Sequence, residues 1–285
     1  MRRAGGVTCG WARRPAPWAW TALATPALAV LMLSPVAHSA ARFAGRLAVA
    51  AAALSREAPL AQPAQVSGSP FGGTPAVGAL FQVAHGGLGR HFCTATVVAS
   101  PVKDLVITAA HCVYGQRPGQ LAFVPGYRYG SHPYGVWAVR QIVVGAGWRD
   151  SRNPNRDVAF LVVGRTGRTG VQHAAGGERL GTGWPAHTWV HVIGYPDGAQ
   201  WPVICGNRAQ PFGRHQLRFD CGGYPDGTSG GPFLARWHAK ASTIIGVIGG
   251  YERGGYLDSV SYSPRFGHAI RSLYRAAVAA ARASG

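Results

Sequence analysis

Acidic side chains are scarce in this sequence. Its 285 residues include 10 Asp and Glu against 28 Lys and Arg, which gives a formal net charge of +18. Charged residues of both signs make up 13% of the chain, which argues against long solvated helices. Because the chain also contains 41 Gly and 20 Pro, short strands joined by turns are favoured. We therefore expect an all-β fold.

Signatures of nucleic-acid recognition are also missing. The sequence contains no helix-turn-helix, zinc-finger spacing or aromatic RNA-binding motif, and its arginines are spread along the whole chain. No specific nucleic-acid partner is predicted. The net charge instead predicts a solvated basic surface that can contact anionic polymers without specificity.

Metal-binding spacings such as His-Glu-x-x-His do not occur, and no metal or organic cofactor is predicted. Cysteine is used sparingly, at Cys9, Cys93, Cys112, Cys205 and Cys221. Cys9 lies in a segment with the features of a targeting sequence. The other four form an even set, which disulfides in an oxidising compartment require.

The N-terminal residues 1–41 have a basic start, an apolar run over 18–33 and small residues at the end. These features predict a secretory signal peptide, and hence a secreted protein. A retained membrane anchor is the alternative, because an Ala-rich run over 47–54 follows closely. Residues 42–72 are rich in Ala, Pro and Ser without a clear strand pattern, and are interpreted as a pro-segment or linker.

A serine between glycines, Ser229, lies in the stretch Gly-Thr-Ser-Gly-Gly-Pro at residues 227–232. A tight glycine-rich turn exposes the hydroxyl and leaves backbone N–H groups free to point at one place. Since serine is a poor nucleophile at neutral pH, an acyl-transfer role also requires a base and a group that orients this base. The sequence offers candidates for both.

The candidate base is His111, which follows the apolar run Val-Ile-Thr-Ala-Ala. The candidate orienting group is Asp157, with Asp104 and Asp150 as competing carboxylates. Asp157 is preferred because the apolar run after it, residues 158–163, is long enough to be buried. A carboxylate at the edge of the core can accept the imidazole Nδ1–H and fix the tautomer.

In the order His, Asp, Ser, these motifs resemble those of the trypsin/chymotrypsin-like serine endopeptidases, especially compact secreted bacterial members. The resemblance covers residues 73–285 and implies two antiparallel six-stranded β-barrels with a C-terminal helix. The first barrel would span residues 73–175 and the second, with the helix, residues 176–285. Residues 266–281 do show apolar side chains at helical spacing.

The resemblance also assigns roles. It makes Ser229 the nucleophile, His111 the base and Asp157 the group that orients the base. The N–H groups of Gly227 and Ser229 would form the oxyanion hole.

It further implies a disulfide between Cys93 and Cys112, and we expect a second one between Cys205 and Cys221 that closes a hairpin before the nucleophile. The substrate-binding positions that it implies are Gly223, Asp226, Gly249, Gly250 and Tyr251.

The sequence departs from the family pattern in several places. Thr228 replaces the aspartate that binds a freed N-terminus in trypsin, and Asp226 comes too early in the turn to take its place. Gly249 stands where a serine often supports the triad aspartate. Gly223 and Ile248 replace the residues that select basic and acidic side chains, so a neutral pocket for apolar or small side chains is expected.

These observations predict a monomeric secreted serine endopeptidase that acts on protein or peptide substrates. Two alternatives belong to other functional classes. One is a catalytically silent binding module with a protease fold, and the other is a basic secreted protein that binds anionic polymers.

Overall fold

The computed structural model of the protein describes residues 66–165, 167, 169–237 and 241–284. The predicted signal peptide at residues 1–41 and positions 42–65 of the predicted linker lie outside the described residues. All described residues belong to one compact unit, Ala61–Gly285. Among them, no helix combines the length and the apolar character needed to cross a membrane.

The first half forms a closed six-stranded antiparallel barrel. Its strands, in chain order, are β2 Val77–Ala84, β3 Gly87–Val97, β4 Leu105–Thr108, β5 Leu121–Pro125, β6 Trp137–Val144 and β7 Ala159–Val163. Leu80, Phe123 and Leu161 are fully buried in its core. Strands β2 and β5 approach closely at Gly78, where a Cβ would lie 2.2 Å from the Val124 carbonyl oxygen.

The second half consists of two sheets. The larger sheet contains β1 Ser69–Pro70, β8 Arg179–Leu180, β9 Trp189–Gly194, β10 Val203–Arg208, β13 Pro232–Ala235 and β14 Thr243–Val247. The smaller sheet contains β11 Gln210–Phe212, β12 Gln216–Asp220 and β15 Val260–Pro264. Within the described residues, the strands of the larger sheet pair in the order β1-β10-β9-β13-β14-β8, and those of the smaller sheet in the order β11-β12-β15. Apolar side chains from both sheets, such as Val192 and Phe219, share one core.

Strand β1 corrects part of the interpretation of residues 42–72 as a linker without strand pattern. Ser69 pairs with Ile204 and Pro70 with Val203, so the end of this segment is an edge strand of the larger sheet. A proline at the edge of a sheet is tolerated because its missing N–H costs no ladder hydrogen bond. The boundaries of the other predicted segments remain predictions.

Four helices accompany the strands in the described part of the chain: α1 Ala110–Val113, α2 Ala146–Ser151, α3 Val171–Ala175 and α4 His268–Ala283. Helix α4 confirms the predicted C-terminal helix. Its buried face, with Ile270, Leu273 and Ala277, belongs to the same core cluster as Phe160 of the first barrel. The predicted all-β class with a terminal helix is thus confirmed.

Both expected disulfides are present. Cys93 and Cys112 are 19 positions apart, and their bridge connects β3 to α1. Cys205 lies on β10, and Cys221 directly follows β12, so the second bridge links the two sheets of the second half. A closed loop of this size stabilises a fold by about 3 kcal/mol in the chain-entropy model.

Candidate active site

His111 and Asp157 are placed side by side by the first barrel. His111 lies on α1, immediately after β4, and Asp157 lies between a short 3-10 helix, Pro154–Arg156, and β7. The Asn153 side chain accepts a hydrogen bond from the Asn155 N–H at 2.9 Å, which orders this approach to the strand. Asp157 is fully buried.

Three N–H groups converge on the Asp157 carboxylate. His111 Nδ1 lies 2.7 Å from Oδ2, and the His111 backbone N–H donates to Oδ1 at 2.8 Å. The Gly250 N–H donates to Oδ2 at 2.8 Å from the second half. With Nδ1–H directed at the carboxylate, the Nε2 of a neutral imidazole is the free acceptor, which is the form that a general base requires.

The competing carboxylates lie elsewhere. Asp104 pairs with Arg165, whose Nε is 2.7 Å from Oδ2, and Asp150 pairs with Arg149 at 3.0 Å. Of the three candidates, the structure therefore brings only Asp157 to His111.

Gly249 offers no hydroxyl to Asp157, in line with the sequence, but the neighbouring backbone does supply a donor. A Cβ at Gly249 would lie 3.1 Å from Asp157 Oδ2, so a side chain at this position would require its neighbours to shift by a few tenths of an ångström. The Gly250 N–H takes over the role of the missing hydroxyl.

Ser229 lies in the nucleophile loop, which we define as residues 225–231. The Thr228 hydroxyl donates to the Pro225 carbonyl at 2.7 Å, so a short-range bond closes the turn where trypsin uses an ion pair with its N-terminus. Ser229 and His111 line the same cleft. Within the described residues, no hydrogen bond joins the Ser229 hydroxyl to His111. Such bonds are often long in free enzymes and tighten when substrate binds.

The backbone of Gly227 is fixed with a φ of +91°, a conformation that favours glycine. The preceding carbonyl, that of Asp226, accepts the Asp197 N–H at 2.7 Å. In a trans peptide the C=O and the following N–H point in opposite directions, so this bond turns the Gly227 N–H away from Asp197. Within the described residues, neither this N–H nor that of Ser229 donates to a backbone carbonyl. Both N–H groups therefore remain available to a ligand.

A cleft of about 770 Å³ extends from His111 and Ser229, and a second cavity of about 450 Å³ adjoins it. Of the predicted substrate-binding residues, Asp226 lines the first cavity and Gly250 the second. The other three, Gly223, Gly249 and Tyr251, line neither of these two cavities. Tyr251 instead packs against Phe212 and Tyr262, with ring centroids 5.0 and 5.1 Å away.

Other residues form the rest of the walls, and except for Ile248, which was aligned with a specificity position, sequence reasoning did not assign them to substrate binding. Tyr224 and Ile248 line the first cleft, and the loop 252–258 borders both cavities. The Tyr224 hydroxyl donates to the Val192 carbonyl at 2.7 Å, and burial raises the pKa of Tyr224 far above its usual range. A local signal for the loop was its Gly254-Gly255 pair, both with positive φ.

Within the part of the chain that the structure describes, four carboxyl side chains line the first cleft, namely Asp197, Asp226, Glu252 and Asp258. The whole sequence contains ten Asp and Glu. Arg90 pairs with Asp197, with Nε 2.6 Å from Oδ1, and neutralises it. Among the described lining residues, Arg253 is the one Lys or Arg. The cleft is therefore an acidic region on a basic protein, whereas the expectation of a neutral pocket rested on positions 223 and 248 alone.

Cys93, His111 and Cys112 bring three potential metal-ligand atoms within 4.8 Å of one another. Both sulfurs are bonded to each other in the disulfide. Since metal ions are bound by thiolates, this cluster does not suit a metal ion.

Comparison with known proteins identifies the family and the fold. The family model of the trypsin-like peptidase domain matches residues 93–238, about half of the chain. No curated protein matches the chain.

Among solved structures, a thermostable serine protease, AL20, from an extremophilic microorganism is 28% identical, with a TM-score of 0.62 over 72% of this chain and 98% of its own. The protease Anisep from Arthrobacter nicotinovorans is 23% identical, with a TM-score of 0.63 over 74% of this chain and 99% of its own. A Glu endopeptidase in complex with MPD shares the fold at 16% identity, with a TM-score of 0.59 over 76% of this chain and 98% of its own. The chain therefore belongs to the trypsin-like peptidase family and is a serine protease of chymotrypsin-like fold.

Proposed function

We propose that the protein is a secreted serine endopeptidase in which Ser229, His111 and Asp157 act as a catalytic triad. The observation that carries this proposal is the His111–Asp157 pair at 2.7 Å, which faces the same cleft as Ser229. The buried carboxylate holds the imidazole in the tautomer that can accept the serine proton.

In the first half-reaction, the Ser229 Oγ forms a bond to the scissile carbonyl carbon while His111 Nε2 takes the hydroxyl proton. The carbonyl π electrons move to oxygen, and the N–H groups of Gly227 and Ser229 stabilise this oxyanion. Each such donor stabilises the transition state by about 3 to 4 kcal/mol. When the intermediate collapses, the C–N bond breaks, His111 returns the proton to the leaving amine, and an acyl-enzyme remains.

In the second half-reaction, water attacks the acyl carbon while His111 Nε2 accepts its proton. Collapse of the second intermediate breaks the bond to Ser229 Oγ, which regains the proton from His111. The product acid then leaves. No step requires a metal or an organic cofactor.

The central test is the variant Ser229→Ala, which removes one hydroxyl from a partly exposed turn. We expect peptide hydrolysis to fall by at least about a thousandfold, while the folded structure is retained. A serine-directed phosphonate should label the wild-type protein once, at Ser229, and should not label the variant. Labelling with equal stoichiometry in both proteins would show that the nucleophile is a different residue.

The same experiment separates the two alternatives. A silent binding module would hydrolyse no general protein substrate and would not react with the phosphonate. A basic polymer binder would be retained on an anionic polymer in a salt-dependent manner, and equally so in Ser229→Ala.

Secretion is part of the proposal and rests on the predicted signal peptide together with the two disulfides. The mature monomer would start after about residue 39, where small residues end the predicted leader, and would lose Cys9. We expect no free thiol in the denatured, unreduced protein. A titratable thiol would contradict this processing.

A further inference from the structure

Thr94, on β3, connects the first barrel directly to the nucleophile loop. Its side chain is fully buried, and Oγ1 both accepts the Tyr195 N–H at 2.8 Å and donates to the Gly227 carbonyl at 3.0 Å. Its backbone N–H donates to the Ser229 carbonyl at 2.8 Å. One residue therefore contacts both residues that supply the proposed oxyanion hole.

Thr94 is itself held in place. Its carbonyl accepts the Thr108 hydroxyl at 2.8 Å, and Thr108 ends the strand that precedes His111. The neighbouring Cys93 is bridged to Cys112, next to His111. Strand β3 thereby fixes the position of the loop relative to the base.

Hydrogen bonds on both sides of Gly227 link the Thr94 side chain to the proposed oxyanion hole. The Asp226–Gly227 peptide is anchored by the Asp197 N–H, and the carbonyl on the other side of Gly227 is anchored by the Thr94 hydroxyl. Anchors on both sides fix the rotation of the Gly227 N–H, which cannot rely on side-chain packing because glycine has none. An oxyanion donor is effective only when it is directed at the developing charge before the reaction.

We propose that Thr94 is a positioning residue for the oxyanion hole, and that it acts through the hydrogen bond from its hydroxyl to the Gly227 carbonyl. This inference rests on the proposed triad mechanism and adds a residue to it. Thr94 does not line the substrate cleft, so its effect should fall on transition-state stabilisation rather than on substrate binding.

The same strand provides a matched control. Thr96 lies two positions further along β3 and points to the same face of the strand. It is also fully buried, but within the described residues its hydroxyl has no hydrogen-bond partner. Replacement of either threonine by valine conserves the shape of the side chain and removes one buried hydroxyl.

The experiment compares Thr94→Val, Thr94→Ser and Thr96→Val in steady-state peptide hydrolysis. For Thr94→Val we expect kcat to fall about 10- to 100-fold, because a donor displaced by a fraction of an ångström loses much of its effect. KM should change less than about threefold, as for an interaction made only in the transition state. Thr94→Ser should recover most of kcat, and Thr96→Val should match the wild type.

A second readout separates positioning from general destabilisation. A peptide aldehyde of the substrate sequence forms a hemiacetal with Ser229 and places its oxygen in the oxyanion hole, whereas the product acid binds without it. Thr94→Val should weaken binding of the aldehyde by a factor similar to the loss in kcat, and should leave binding of the product acid nearly unchanged. If the valine variants do not fold, the pair Thr94→Ala and Thr96→Ala replaces them with the same expectations.

Equal kcat values for Thr94→Val and Thr96→Val would overturn the inference. An equal loss of affinity for the aldehyde and for the product acid in Thr94→Val would also overturn it. These outcomes differ from failure of the proposed function itself. In that case Ser229→Ala would retain activity, or the wild-type protein would hydrolyse nothing.

Discussion

The tight environment of Gly227 permits a quantitative test of the oxyanion hole. Replacing this residue by alanine would place a Cβ 2.4 Å from the Asp197 nitrogen and 2.7 Å from the Tyr195 carbonyl oxygen. Both are backbone atoms and cannot rotate away. Since ordinary contact begins at 3.4 Å, the loop must move by about 1 Å to relieve the clash.

Two costs follow, and they affect different measurements. The φ of +91° is unfavourable for alanine by about 1 to 2 kcal/mol, which lowers the free energy of unfolding. A displacement of about 1 Å moves the N–H donor away from the oxyanion and can lower kcat about a hundredfold. This approaches the loss of about 100- to 1000-fold that follows removal of an oxyanion donor.

The assay measures kcat and KM on a peptide substrate, together with unfolding by denaturant. Gly198→Ala is the matched control, because Gly198 has a φ of +75° and a Cβ added there would meet no atom within 4 Å. The control should lose a similar backbone contribution to stability and keep its kcat. A kcat within about threefold of wild type in Gly227→Ala would refute the assignment of this N–H to the oxyanion hole.

Three further predictions concern stability and charge. Replacing both Cys205 and Cys221 by serine should lower the free energy of unfolding by about 3 kcal/mol, measured by denaturant titration, because the two sheets lose their covalent link. Burial raises the pKa of the Glu178 carboxyl above its ordinary value of 4.5, so the contribution of the protonated carboxyl to stability is present below pH 4.5 and is lost as pH rises through the folded-state pKa. Glu178→Gln should therefore raise Tm at neutral pH and not at pH 4, and equal Tm shifts at both pH values would contradict this. The carboxylates Asp226 and Asp258 line the cleft and should favour substrates with Lys or Arg. Because salt screens this attraction, kcat/KM for cationic peptides should fall with added salt, and Asp258→Asn should reduce that salt dependence.

The candidate triad was accessible to sequence reasoning because each member has a distinctive local context. Ser229 is surrounded by glycines, His111 follows a buried strand, and Asp157 precedes one. The apolar spacing over residues 266–281 likewise predicted helix α4. Local patterns of this kind are set by neighbours in the chain, which a single sequence displays directly.

Several other features depend on partners distant in the chain and were not predicted. Strand β15 has no apolar run to mark it. Its residues Ser261 and Ser263 are polar, yet both are buried, and the Ser263 hydroxyl accepts the Val247 N–H at 2.9 Å. Strand β1 contains a proline and is defined only by its pairing with β10. The Gly254-Gly255 pair marks a turn in the loop 252–258, but it does not predict the other unusual backbone angles that shape this cleft wall, such as a φ of 51° at Glu252.

The proposed triad is divided between the two halves of the fold. His111 and Asp157 belong to the first barrel, whereas Ser229 and the Gly250 N–H that supports Asp157 come from the second half. Neither half contains a complete site, although each has its own apolar core. During refolding, return of circular dichroism would follow the formation of each half, whereas return of hydrolysis would follow their docking. The return of activity would therefore report the association of the two halves. A lag between the circular dichroism signal and the return of hydrolysis would measure the time between folding of the halves and their docking.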